Sequence, residues 1–158
     1  MTVQLSKRPA AALALLGFGA AVAVVAVVGG LAAANAADRY AGFDLPSWAP
    51  PSWLFGPVWT VLYVMIAVSG WLVWRRSGLT SPAHVVYGVQ LLLNMLWTPL
   101  FFAAGLPWLA FAEIVLLWLS VVATIVLFAR HSRPAAWLLV PYLAWVTFAA
   151  ALNLAIAA

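Results

Sequence analysis

Five long stretches of this chain, residues 9–34, 57–74, 84–104, 108–129 and 135–157, are almost free of charge. Glu113 is the only acid inside any of them. A bilayer core about 30 Å thick takes roughly 20 apolar residues as a helix, and each stretch is of that order. None alternates apolar and polar residues as a transmembrane strand would. Apolar residues make up 68% of the chain and charged residues 6%, against roughly 45–50% and about 25% in soluble domains. Three acids and seven bases do not cover a water-soluble surface. The expected fold is therefore all-α and integral to the membrane. It is a bundle of five transmembrane helices with a long loop between the first and second, and residues 1–158 form one domain.

Composition removes several chemistries. The chain has no cysteine, which excludes disulfides, thiol nucleophiles, Fe–S clusters and cysteine zinc sites. It has no Ser-His-Asp set, no metal-binding cluster and no phosphate loop, so no metal is expected. The net charge of +4 comes without a Lys/Arg stripe, so no nucleic-acid partner is expected. With five crossings, Lys7, Arg8, Arg75, Arg76, Arg130 and Arg133 share one side, and only Arg39 lies on the other. The positive-inside rule then places the N-terminus in the cytoplasm and the long loop outside. Lys7-Arg8, the apolar run and Ala34-Asn35-Ala36 also resemble a cleavable signal. The run exceeds the usual 7–15 residues of a signal core, which favours a retained span. Ala10, Ala14, Gly17 and Ala21 share one helical face there, as a packed membrane helix would use.

Polar residues inside a span are costly and mark places to look for function. Glu113 admits two readings: a snorkelling or hydrogen-bonded carboxyl near a helix start, or a proton-coupling carboxylate. In the third span Gln90, Asn94, Trp97 and Phe101 fall at i, i+4, i+7 and i+11, on one face. That face reads equally as an interhelical hydrogen-bond seam and as the wall of a cavity for a large flat ligand. Trp74, Trp108 and Trp137 fit as interface anchors among ten tryptophans. Trp97, Trp118 and Trp145 lie deeper, and Trp59 and Tyr63 stand one turn apart in the second span. Pro141, four residues before Trp145, is expected to bend the fifth helix, and such a bend can open a pocket. His84 and His131 lie at span ends and read as interfacial residues rather than haem ligands. Asp38, Arg39 and Asp44 read as a solvated face.

Three sets of motifs resemble one family. The first is Trp48-Ala49-Pro50-Pro51-Ser52-Trp53 with Gly56-Pro57-Val58-Trp59 and Leu62-Tyr63, preceded by Tyr40-Ala41-Gly42 and Pro46-Ser47-Trp48. The second is Gln90-Leu91, Asn94, Trp97, Pro99 and Phe101-Phe102. The third is Pro141-Tyr142-Leu143-Ala144-Trp145, Phe148-Ala149 and Leu152-Asn153. In this order, from about Tyr40 to Asn153, they resemble the translocator protein family, also called tryptophan-rich sensory protein or peripheral-type benzodiazepine receptor.

The resemblance implies a five-helix bundle, often a homodimer, whose ligand cavity is roofed by the first loop. It implies porphyrin or haem as ligand, with no required cofactor, and a role in tetrapyrrole regulation or stress response. The motifs and the aromatic-and-amide face together give the expected ligand-binding set: Trp48, Trp53, Trp59, Tyr63, Gln90, Asn94, Trp97, Phe101, Trp145 and Ala149. The partners expected are a tetrapyrrole or another hydrophobic small molecule, and the lipid bilayer. Conventional catalysis is not expected, for want of an acid–base set. One alternative is light-dependent porphyrin degradation, for which Trp59 and Trp145 match the family's implicated tryptophans and are the candidate catalytic residues. A more distant one is a small proton-coupled multidrug exporter using Glu113. Arg39 stands where the family usually has a second aromatic before the Tyr40 position, and Leu45 where a lysine is common. After Asn153 the Tyr and Arg of the eukaryotic cholesterol motif are missing. A bacterial source and a cell-membrane location are the corresponding expectations.

Overall fold

The computed structural model describes residues 7–158; residues 1–6, which the single-domain expectation includes, lie outside the described residues. Every regular element among the described residues is helical. Helix α1 spans Lys7–Ala32, and a short α2, Ala36–Ala41, lies in the long first loop. A 3₁₀ turn, Ser52–Leu54, leads into α3, Phe55–Ser77. Then come α4 (Pro82–Thr98), α5 (Pro107–His131), α6 (Arg133–Leu138) and α7 (Val140–Ala157). Five segments are long and apolar enough to cross a membrane, with α6 and α7 together forming the fifth.

Proline sets most of the boundaries. Pro82, Pro107, Pro134 and Pro141 each stand in the first turn of a helix, where the missing N–H costs nothing. Ser81 and Ser132 precede two of these helices and accept from the backbone N–H groups of Ala83 and Ala135. Pro99 falls inside the third span instead, where it cannot donate to the preceding turn. The helix widens there into a π turn over Pro99–Ala103, closed by Ala104 N–H on the Pro99 carbonyl at 2.8 Å. Gly105, at φ 64°, then reverses the chain into α5. The bend expected from Pro141 is a break at Leu139 between α6 and α7.

The helices close into a ring. α1 packs on α3 and α4, α4 on α5, α5 on α7, and α3 on α6. Large apolar side chains such as Leu16, Val61, Leu92 and Leu116 point outward, as lipid contact requires.

One end of the ring is tied by side chains bonded to backbone carbonyls. Trp71 Nε1 donates to Ala11 O at 2.8 Å, Ser69 to Ala135 O at 2.8 Å and Tyr87 to Ile66 O at 2.9 Å. Gly70 lets three helices meet there. A Cβ on it would lie 2.7 Å from Tyr87 Cζ and 2.9 Å from Phe18 Cδ1.

One expectation about this region changes and another gains detail. His84 stands at the start of the third span, as expected, and is 7% exposed there, between Phe18, Tyr87 and Phe128. Its Nε2 stands 3.2 Å from Gly70 O, so that nitrogen carries the proton. His131 is only partly buried and lies 3.4 Å from Ser81 Oγ. The small residues Ala10, Gly17 and Ala21 are exposed on the lipid side of α1. Its packed face carries Phe18, Val22 and Val25 instead, because those larger side chains fill the gap to α3 and α4.

Candidate functional site

A cavity of about 650 Å³ opens at the loop end of the bundle, within the range of small-molecule sites. Its α1 wall is Ala26, Gly29 and Gly30, continued by Ala33 just past the helix end, at i, i+3, i+4 and i+7. That stripe puts the smallest side chains on one face and leaves the volume empty. Ala36, Ala37 and Tyr40 of α2 close over it, and Trp53 stands at the mouth, 70% exposed. The facing wall is aromatic: Phe55, Trp59 and Tyr63 from α3, Trp97 and Phe102 from the α4 segment. Trp59 and Tyr63 stack at 5.4 Å and 28°, and Trp97 stacks on Phe101 at 5.1 Å and 13°. Ser52, Thr60, Thr98 and the Tyr63 hydroxyl supply the polar points, and no charged side chain among the described residues lines the space.

Behind the aromatic wall runs a chain of side-chain hydrogen bonds. Tyr63 donates to Asn94 Oδ1 at 3.0 Å, Asn94 Nδ2 to the Tyr142 hydroxyl at 2.8 Å, and Tyr142 to Gln90 Oε1 at 2.8 Å. Trp97 Nε1 donates to Asn153 Oδ1 at 3.1 Å, and Asn153 Nδ2 to Pro107 O at 2.8 Å. The amides of the third span are thus a seam joining α3, α4 and α7, and they hold the cavity's rings in place from behind.

The roof is fixed at two points. Buried Tyr40 donates to Pro50 O at 2.9 Å and meets Phe55 edge-on at 5.4 Å. Burial pushes its phenol above the ordinary value of 10.0. Arg39 Nη1 donates to Ala103 O at 2.9 Å, tying α2 to the end of the π turn. Arg39 is exposed, like Asp38 and Asp44, but it is also this tether.

Of the ten expected ligand-binding residues, Trp53, Trp59, Tyr63 and Trp97 line the cavity. Gln90 and Asn94 lie in the seam. Phe101 and Ala149 border a void of about 10 Å³, which has room for one water at most. Tyr40, Phe55, Trp97 and Phe102 border both spaces and separate them. Trp48, 48% exposed, meets Phe148 from outside. Trp145 packs on Phe55 and Phe148 with its Nε1 buried and without a partner among the described residues. Nothing from α6 or α7 lines the cavity, so the break near Pro141 does not form it. Glu113 is buried away from it, and its two carboxyl oxygens have no partner among the described residues. The sequence reading missed Phe55, Thr60, Thr98, Phe102 and the α1 stripe, although the Ala26-Gly29-Gly30-Ala33 spacing was there to be found.

Comparison with known proteins adds a second line. The pattern of the TspO/MBR family matches residues 18–158. The chain is 44% identical over 118 residues to the tryptophan-rich protein TspO of Chlorobaculum tepidum, covering 70% of this chain and 72% of that protein. It is 43% identical over 119 residues to TspO of Archaeoglobus fulgidus, covering 74% and 76%. It is 42% identical over 118 residues to the human translocator protein, covering 72% and 70%.

Proposed function

The chain belongs to the TspO/MBR family and is a multi-pass membrane protein, and on that footing we propose that it binds a porphyrin or haem in the loop-end cavity. The observation that carries this reading is the wall itself. Trp59 stacked on Tyr63 beside Trp97, facing an α1 surface of glycine and alanine, offers a flat apolar space with few polar points. An extended π-system gains offset or edge contacts with such rings. Binding without charge inside the cavity falls in the micromolar range.

The same reading puts the N-terminus on the cytoplasmic side of a bacterial cell membrane, because six of the seven bases lie at that side. Relatives named translocator and sensory protein support a role in moving or sensing the ligand.

Protoporphyrin titration of the purified protein, followed by tryptophan quenching in the dark, tests the site. Trp59→Phe weakens saturable quenching, whereas Trp145→Phe, outside the cavity lining, leaves the dissociation constant unchanged. Equal loss in both variants, or no saturable quenching, overturns the assignment. Repeating the titration under light separates binding from degradation: a porphyrin spectrum that disappears only on illumination, and more slowly in Trp59→Phe, favours degradation.

A further inference from the structure

No charged side chain among the described residues lines the cavity, and one cation, Arg39, adjoins its lining residues without itself lining it. Of the seven bases in the chain, Arg39 is the only one in the long first loop. It immediately precedes Tyr40, which lines the cavity, and its Nη1 bonds the carbonyl of Ala103, next to cavity-lining Phe102. The guanidinium therefore bridges the seam between α2 and the end of the π turn. It is exposed and has five N–H donors, of which the bond to Ala103 takes one.

We infer that Arg39 is a specificity residue of this cavity, taking a carboxylate of a flat aromatic ligand whose body lies among Trp59, Tyr63 and Trp97. The inference rests on the cavity being an aromatic-ligand site and adds the class of ligand: an apolar plate with an acidic arm. Its physical reason is complementarity. A carboxylate pushed into the neutral interior would lose its hydration with nothing to replace it. At the rim it keeps contact with water or headgroups and meets a planar donor matched to two oxygens. Asp38 and Asp44 share this loop, so two acids there offset one base and no long-range positive field draws the anion in. The discrimination is by direct contact, which makes it sensitive to guanidinium geometry as well as to charge.

The experiment compares protoporphyrin IX with its dimethyl ester on the wild type, Arg39→Gln and Arg39→Lys, by quenching in one detergent. The wild type binds the diacid about twofold to fivefold more tightly than the ester, the size of a solvent-exposed charged contact. Arg39→Gln loses the tether to Ala103 as well, so any weakening of the ester measures the tether. The diacid weakens further and the ratio between the two falls towards one; Arg39→Lys gives an intermediate ratio. If Arg39 only held α2 through Ala103, Arg39→Gln would weaken both compounds equally, and that result overturns the inference. Equal wild-type affinity for diacid and ester overturns it as well, while leaving the cavity as an aromatic site. Absence of saturable binding by either compound overturns the aromatic-ligand reading and the anchor with it.

Discussion

Tyr63 donates its hydroxyl to Asn94 Oδ1 at 3.0 Å, so a ring of the cavity wall on α3 is held by an amide on α4 that never reaches the cavity. Asn94 passes the constraint on through Nδ2 to the Tyr142 hydroxyl at 2.8 Å. Recognition at the wall and cohesion of the bundle therefore share one set of bonds. Asn94→Leu removes an acceptor from Tyr63 and a donor from Tyr142 in a dry interior. Each such interhelical bond is worth about 0.6–2 kcal/mol. The expected outcome is a lower unfolding midpoint in detergent together with weaker porphyrin quenching. A variant with unchanged affinity would separate the seam from the site.

Filling the empty wall tests the cavity from the opposite side. A Cβ on Gly30 meets nothing within 4 Å, and Gly30 faces the cavity from α1. Gly30→Leu occupies that space without removing a recognition group. It also replaces a poor helix former, a gain of up to about 1 kcal/mol. The protein should remain folded, with an unfolding midpoint at or above the wild-type value, while porphyrin affinity falls by at least tenfold. Retained affinity would mean that the ligand sits elsewhere.

Gly70 gives the converse case, a substitution that damages the fold far from the site. Its added Cβ would lie 2.7 Å from Tyr87 Cζ and 2.9 Å from Phe18 Cδ1. Both neighbours are rings wedged between helices, and Tyr87 is also bonded to Ile66 O. Gly70→Ala should cost about 1–3 kcal/mol through overpacking, read as a lower melting temperature. Gly88→Ala serves as the control, since its Cβ meets nothing within 4 Å.

Tyr40 makes the roof sensitive to alkali. Its folded-state pKa is raised above 10.0 by burial, so its contribution is fully present below the unfolded value. That contribution is lost as pH rises through the higher folded value. Porphyrin affinity should therefore decline above pH ~10 as the phenolate forms and the bond to Pro50 O is lost. Tyr40→Phe, lacking the hydroxyl, should bind more weakly at neutral pH and show a smaller alkaline decline. An identical decline in both proteins would assign it to another group.

The five spans were legible because lipid imposes a requirement that a sequence states directly: uninterrupted apolar length. The bend expected from Pro141 was legible too, and it is the break at Leu139 between α6 and α7. Side-chain direction was harder. Gln90, Asn94 and Trp97 share one face of α4, as their spacing requires, yet only Trp97 reaches the cavity. The amides are intercepted by Tyr63 and Tyr142, residues 31 and 48 positions away. The burial of His84 was hidden for a related reason. Its position near the start of α4 is read in one dimension, and it takes Gly70 to let α3 come close enough to bury it. The α1 wall was missed because glycine and alanine carry no chemistry of their own and mark a site only through what faces them.

That wall has a consequence for how the protein can change. Ala26, Gly29, Gly30 and Ala33 determine how much space there is, while Trp59, Tyr63 and Trp97 on other helices determine what is attracted into it. Size and chemistry are thus written on separate parts of the chain. Substitutions on α1 can narrow the range of accepted guests by single methyl groups while the aromatic lattice opposite stays intact, so descendants of one ancestral pocket can diverge in the guests they admit without rebuilding it.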